Sequence, residues 1–182
     1  APHHVWTGNS LLILKAIPGI NLETDKNSYN IAANETKIKL KVNPTIQIGN
    51  EAKTENKKIE VKVILPKDLE YVEGSSKLKG QEIKPIDILK DAEGKTIITY
   101  NYNSTLEKSE FTKNIIELEA NIPSIFGKSR NTKIESNISI DEFPNPILKE
   151  RSSSKEVYVV NLLAQIVNKE VKQQVIDYGQ RF

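Results

Sequence analysis

The chain of 182 residues has no cysteine and no methionine, two histidines and one tryptophan. Without cysteine there is no disulfide framework and no thiolate metal site. That composition suits a cytosolic protein and equally an exported one that avoids stray thiols. The two histidines are adjacent, His3 and His4, and read as a disordered or engineered end rather than a metal site. Long apolar runs are missing too. The longest, around Leu11–Leu14 and Val157–Leu163, are strand-sized and fall well short of the about 18 residues that a membrane helix requires. The Ala-Pro-His-His start shows neither the basic nor the apolar region of a signal peptide, so it reads as a processed or engineered terminus. Charge of one sign is not in excess either: 26 Lys and Arg stand against 24 Asp and Glu, and they are dispersed. A nucleic-acid footprint would gather basic residues on one face, so no nucleic acid and no membrane insertion are expected.

What the chain does contain is short alternation. Apolar residues make up 37%, which is low for a compact globule. It suits a thin two-sheet sandwich in which each sheet leaves one face in water. Ile38, Leu40 and Val42 alternate with Lys37, Lys39 and Lys41, predicting an amphipathic strand that stops before Asn43-Pro44. Ile59, Val61 and Val63 alternate with Glu60 and Lys62, and Pro66 should end that strand near Leu65. Leu69, Tyr71 and Val72 restart a short strand closed by Gly74-Ser75-Ser76. Ile83–Leu89 reads as a further strand and Asp91-Ala92-Glu93-Gly94 as a hairpin turn rather than a calcium loop. Thr96–Tyr102, rich in β-branched and aromatic residues, should lie inside a sheet. Ile116, Leu118, Ala120 and Ile122 give another alternating run, as do Ile134, Ile138 and Ile140. Val157–Leu163 is apolar on both parities, predicting a strand covered on both faces. Ser10–Ile17 is an apolar run that Pro18-Gly19 should terminate, with a short strand at Ile20–Thr24. Ile115–Ala120 and Leu162–Val175 have helical spacing as well, but their β-branched content favours strands. The sum is an all-β sandwich or barrel.

The two chain ends echo each other. Leu11-Leu12-Ile13-Leu14 aligns with Val157-Tyr158-Val159-Val160, Ala16-Ile17 with Leu162-Leu163, and Ile20 with Ile166. Read as a repeat, this divides the chain into residues 1–19, the end of a preceding module; 20–165, one whole module; and 166–182, the start of a following one.

Pro66-Lys67-Asp68-Leu69-Glu70-Tyr71-Val72-Glu73-Gly74-Ser75-Ser76, with Gly80 downstream, resembles the LP-x-x-L-x-Y-V-x-G-S segment of the conserved-repeat, immunoglobulin-like domains. These occur in tandem on bacterial surface and fimbrial proteins. Thr24-Asp25-Lys26-Asn27-Ser28-Tyr29 is similar to the DK-x-x-Y opening of many such modules, although the Gly-Asp that usually follows is replaced by Ala33-Asn34-Glu35. Val157–Leu162 resembles a closing strand. The resemblance implies an immunoglobulin-like antiparallel β-sandwich, with strand remnants of flanking modules at both ends. It also implies an extracellular, cell-surface location, and work as a stalk, spacer or adhesin. Some members carry an internal Lys–Asn isopeptide bond.

Candidate chemistry is sparse, and no catalytic, cofactor-binding or metal-binding residue is assigned. Lys15, Asn161 and Glu119 are the residue types of an isopeptide site, which needs a lysine of depressed pKa beside a buried carboxylate. The alternation, however, turns Glu119 towards solvent. Ser152-Ser153-Ser154 lacks a histidine base or glycine elbow. Asn34, Asn103 and Asn137 open Asn-x-Ser/Thr triplets that matter only in a eukaryotic secretory host. Trp6, Tyr100 and Tyr102 supply either core or a sugar-stacking patch. The expected function is a non-enzymatic stalk or spacer; the alternative is an adhesin module. The adhesin would hold a host protein, glycan or partner subunit on end loops, with the connections Lys79–Lys95 and Phe143–Lys155 (around Pro144 and Pro146) as its binding elements. Partners would then be neighbouring modules, a host ligand, or a second copy through strand exchange by residues 169–182.

Overall fold

A computed structural model describes residues 17–47, 56–140 and 150–162. Within these lie β1 (Ile17–Thr24), β2 (Ser28–Asn30), β3 (Lys37–Gln47), β4 (Lys57–Leu65), β5 (Glu70–Tyr71) and β6 (Lys77–Leu78). They are followed by β7 (Gln81–Glu82), β8 (Asp87–Lys90), β9 (Thr96–Ser104), a one-turn helix α1 (Lys108–Phe111), β10 (Ile116–Asn121), β11 (Arg130–Ile140) and β12 (Glu150–Val160). One sheet has the order β1-β3-β10-β6-β7, with β5 also paired to β10; the other has the order β2-β12-β11-β4-β9-β8. The two pack face to face as an immunoglobulin-like β-sandwich. Among the described residues every pairing is antiparallel but one: β2 runs parallel to β12, Tyr29 opposite Val159.

Alternation places the core. Ile38, Leu40, Val42 and Ile46 point inward from β3 and meet Ile59, Val61, Val63 and Leu65 of β4, with Ile116, Leu118 and Ala120 of β10 and Ile134, Ile138 and Ile140 of β11 completing the layer. Each large aliphatic side chain so buried contributes about 1.5–3 kcal/mol over an exposed position. The outward positions of β3 are Lys37, Lys39 and Lys41, then Asn43, Thr45 and Gln47, all polar, which keeps that face wet.

Several boundaries depart from the sequence reading. β1 runs straight through Pro18-Gly19, and β3 through Asn43-Pro44, with Pro18 opposite Ile46 and Pro44 opposite Ile20. Among the described residues both prolines sit where only one strand neighbours theirs: β1 is at the edge of its sheet, and the β3–β10 ladder ends at Val42–Ile116. A missing N–H costs little there. Gly19 permits the pairing, since a Cβ would collide with Thr45 Oγ1. The strand expected over Ile83–Leu89 is confined to β8 and exposed throughout. In β12, Val157 and Val159 are buried but Tyr158 is exposed, so the strand is covered on one face and not both. Residues 150–155, expected in a connection, belong to β12. β9 lies inside its sheet, between β4 and β8, as its composition predicts, and residues 116–120 are strand.

Between Ile17 and Asn161 the described chain runs from one end of the sandwich to the other. Ile17 pairs with Gln47 at the end where β4 and β12 begin. Asn161 follows β12 at the opposite end, held by its backbone N–H to Ser129 Oγ at 2.7 Å and its side-chain amide to Gly127 O at 2.6 Å. The echo of the chain ends falls in part on residues 11–16 and 163–166, outside the described residues, as do His3, His4, Trp6, Lys15, Pro144, Pro146 and the exchange segment 169–182.

Candidate functional site

The segment Pro66–Ser76 carries the chain from one sheet to the other. β4 ends at Leu65; Leu69 N–H then closes a turn on Pro66 O, and β5 joins the opposite sheet at Ala120–Asn121. Leu65 and Leu69 plug the core beneath the crossing. Val72 N–H donates to Glu119 O, Glu119 N–H donates to Ser75 Oγ, and Ser75 Oγ donates to Val72 O. Gly74 holds φ at 81°, a left-handed conformation open to glycine at little cost. Ser76, wholly buried, sits 2.7 Å from Tyr71 Oη and 2.5 Å from Tyr100 Oη, so one hydroxyl joins the crossing to β9 of the other sheet. Pro66, Leu69, Tyr71, Val72, Gly74, Ser75 and Ser76 thus each have a structural part in this crossing. Asp68 adds an ion pair with Arg130 at 2.9 Å, and the Arg130 guanidinium lies 3.8 Å from the centre of the Phe126 ring.

Beside this crossing the sandwich is open. A cleft of about 490 Å³ is lined by Tyr71, Ile83, Pro85 and Ile88, with Glu73 and Glu82 on its walls. Its outer lip is β8, whose one strand partner among the described residues is β9. Ile86, Ile88 and Leu89 are 57%, 45% and 56% exposed. The Asp91–Gly94 turn that closes the β8–β9 hairpin is built as expected: Asp91 Oδ1 accepts from Glu93 and Lys95 N–H, and Gly94 takes φ 83°. Thus Lys79–Lys95, expected as an end loop, is a lateral flank ending in an exposed strand. The signal was present in Ile86-Asp87-Ile88-Leu89 bracketed by Lys84-Pro85 and Lys90, the residue types that blunt a sheet edge.

The remaining candidates separate. Tyr100 and Tyr102 are core residues, not a stacking patch. Burial pushes both phenols well above their ordinary pKa near 10. Tyr29 is raised as well, by burial first and then by the hydrogen bond it donates to Asp25 at 2.6 Å. Glu119 does face outward, 3.6 Å from Lys37. Asn161 is bound to the β10–β11 connection, its side-chain amide donating to Gly127 O at 2.6 Å. Ser152, Ser153 and Ser154 line a hollow with Ile64, Lys133, Glu135 and Asn137, and no described residue is a histidine. No group of three or more metal-type ligands converges among the described residues. No described helix is long and apolar enough to cross a membrane.

The family model described as the C-terminal domain of the uncharacterised plasmid protein pXO2-29 matches residues 18–161. No curated protein matches the chain in sequence. Among solved structures, the N-terminal domain of the Streptococcus gordonii adhesin Sgo0707 is 13% identical with a TM-score of 0.46, over 79% of this chain and 32% of that one. BcpA, the major pilin subunit of Bacillus cereus, is 13% identical at 0.45, over 81% and 40%. AvmM, which catalyses macrocyclization in alchivemycin A biosynthesis, is 10% identical at 0.42, over 78% and 87%. The chain spans less than half the length of the adhesin and pilin chains it resembles. An adhesin, a pilin and an enzyme share this distant likeness, so it carries no argument about activity.

Proposed function

The chain belongs to the family of the pXO2-29 C-terminal domain, and from that premise we propose that it is a non-enzymatic stalk or spacer module of a bacterial surface protein. The observation that carries the reading is the path of the described chain: Ile17 lies at one end of the sandwich and Asn161 at the opposite end. Modules so connected add their lengths instead of folding back. Eleven residues of β3 at about 3.3 Å each make one module roughly 35 Å long. A pull on the two ends runs along the strands, and β12 answers it with an unbroken ladder to β11 from Arg130–Val159 to Ser139–Glu150. Hydrogen bonds loaded in this direction share the force. The surface location rests on the Pro66–Ser76 resemblance and suits a chain free of cysteine.

Limited proteolysis of intact cells that carry the parent protein tests the reading. Peptides from residues 17–162 should be released while cytosolic markers stay inside. Recovery of the domain in the cytosolic fraction alone would overturn it.

The second reading, an adhesin module for a host protein, glycan or partner subunit, is favoured by one observation, the apolar strand β8 beside a cleft. It moves the binding element from the end loops to the lateral flank.

A further inference from the structure

We propose that the β8 edge and the cleft behind it form a slot for an extended peptide, which adds as a strand to β8 and carries an apolar and a basic side chain two residues apart. The proposal deepens the second reading, binding by the lateral flank, and does not depend on the stalk.

Three features point to this occupant. The first is the backbone. Asp91 N–H bonds to Lys95 O across the hairpin. In an antiparallel ladder the direction alternates, so Leu89 and Asp87 turn their N–H and C=O groups to β9. Ile88 and Lys90 turn theirs outward, where no described strand meets them. The second is the side chains. Ile88 shares the cleft face with Ile83, Pro85 and Tyr71, giving an apolar floor beside the free backbone groups. A strand laid on β8 would send alternate side chains over that floor. The third is charge. Glu73 and Glu82 stand on the cleft walls against Lys84 alone, and neither carboxylate has an ion-pair partner among the described residues. Two unpaired carboxylates at an apolar cleft match a lysine or arginine two positions along from the side chain that fills the floor. Lys84-Pro85 at one end and Lys90 at the other restrict pairing to a few residues and discourage open-ended sheet growth.

The probe is an acetylated, amidated peptide, Ser-Thr-Val-Thr-Lys-Thr-Ser, titrated into the isotope-labelled chain with amide shifts as the readout. Saturable shifts should gather in residues 82–90 and 73–76. Replacing the peptide lysine by glutamate, or the protein pair Glu73→Gln and Glu82→Gln, should weaken binding by about tenfold at low salt. Ile88→Pro removes an outward donor and should abolish binding. Because that variant could disturb the hairpin, alternate backbone N-methylation of the peptide, tested on the unaltered chain, must abolish binding as well. Three results would overturn the proposal: no shift at millimolar peptide, equal affinity for the lysine and glutamate peptides, or shifts outside this flank. So would sedimentation showing that the free chain already pairs through residues 86–90, which would assign the slot to a second copy. Proteolysis of intact cells reads location alone, so failure of either proposal leaves the other standing.

Discussion

The two flanks of the sandwich are finished in opposite ways. On one, β1 lies against β12, with Leu22 N–H reaching Ser153 Oγ across the sheets at 3.4 Å. The short parallel strand β2 then seats Tyr29 wholly inside, its hydroxyl between Asp25 and the Lys26 N–H. On the other, the sheets part around a cleft, and Ile88 and Leu89 of β8 with Ile86 just before it leave three large apolar side chains in water. A sandwich must close its core but need not close both edges. The closed flank holds the fold, and the open one is free to be used.

Truncation on each side breaks or sustains that contrast most strongly. Tyr29→Ala should lower stability by about 3–5 kcal/mol, the cost of emptying a buried aromatic site. Ile88→Ala should cost less than about 1 kcal/mol, because the side chain is already half in water. Denaturant titration of both variants decides it; equal losses would mean that the open flank is as much core as the closed one.

Proline placement gives the next largest effect and separates the two sides of a single strand. Leu89→Pro removes a donor that faces β9 and should cost about 3 kcal/mol or more, as for a proline that deletes a backbone hydrogen bond elsewhere. Ile88→Pro removes an outward donor and should leave the melting temperature nearly unchanged. Similar losses for both would show that β8 has a second partner.

The inward alternation of β3, β4, β10 and β11 was legible in sequence because each strand has one wet and one dry face, so period two survives in the residues. Pro18-Gly19 and Asn43-Pro44 misled for a physical reason: proline is excluded from a strand by its neighbours, and only topology shows that each has one neighbouring strand among the described residues. Val157–Leu163 misled because Tyr158 is apolar in composition yet exposed. The resemblance marked Pro66–Ser76 correctly as a landmark, but its role as the bridge between sheets depends on Tyr100, distant in sequence. The open flank was located by its length; Lys84-Pro85 and Lys90 carry an edge signal, but which strand lies at an edge is decided by the order of the whole sheet.

Within the core, hydroxyls test how the crossing is tied beside the open flank. Ser76→Ala leaves the buried Tyr100 hydroxyl without its bridge and should cost about 1–3 kcal/mol. Tyr102 Oη has no partner among the described residues, so Tyr102→Phe should be neutral or mildly stabilising. A large loss from Tyr102→Phe would reveal a partner for that hydroxyl.

The smallest effect is one of pH. Tyr29, Tyr100 and Tyr102 have phenol pKa values raised by burial, so the folded state holds their protons more tightly than the unfolded chain does. Their contribution is complete below the unfolded value near 10 and declines as pH rises through that value towards the folded one. For Tyr100 and Tyr102 the decline is about 0.5–1 kcal/mol each by pH 10.5. Tyr29→Phe and Tyr100→Phe should each flatten the slope of stability against pH between 9.5 and 11, at some cost at pH 7 through the hydrogen bonds lost to Asp25 and Ser76. The comparison between flanks is sharpened by which substitution acts more. Tyr29 of β2 is wholly buried on the closed flank, whereas Tyr100 connects through Ser76 to Tyr71 at the cleft. If water entering from the cleft eases ionisation of Tyr100, its slope will be the shallower, and an extended peptide seated on β8 will restore it.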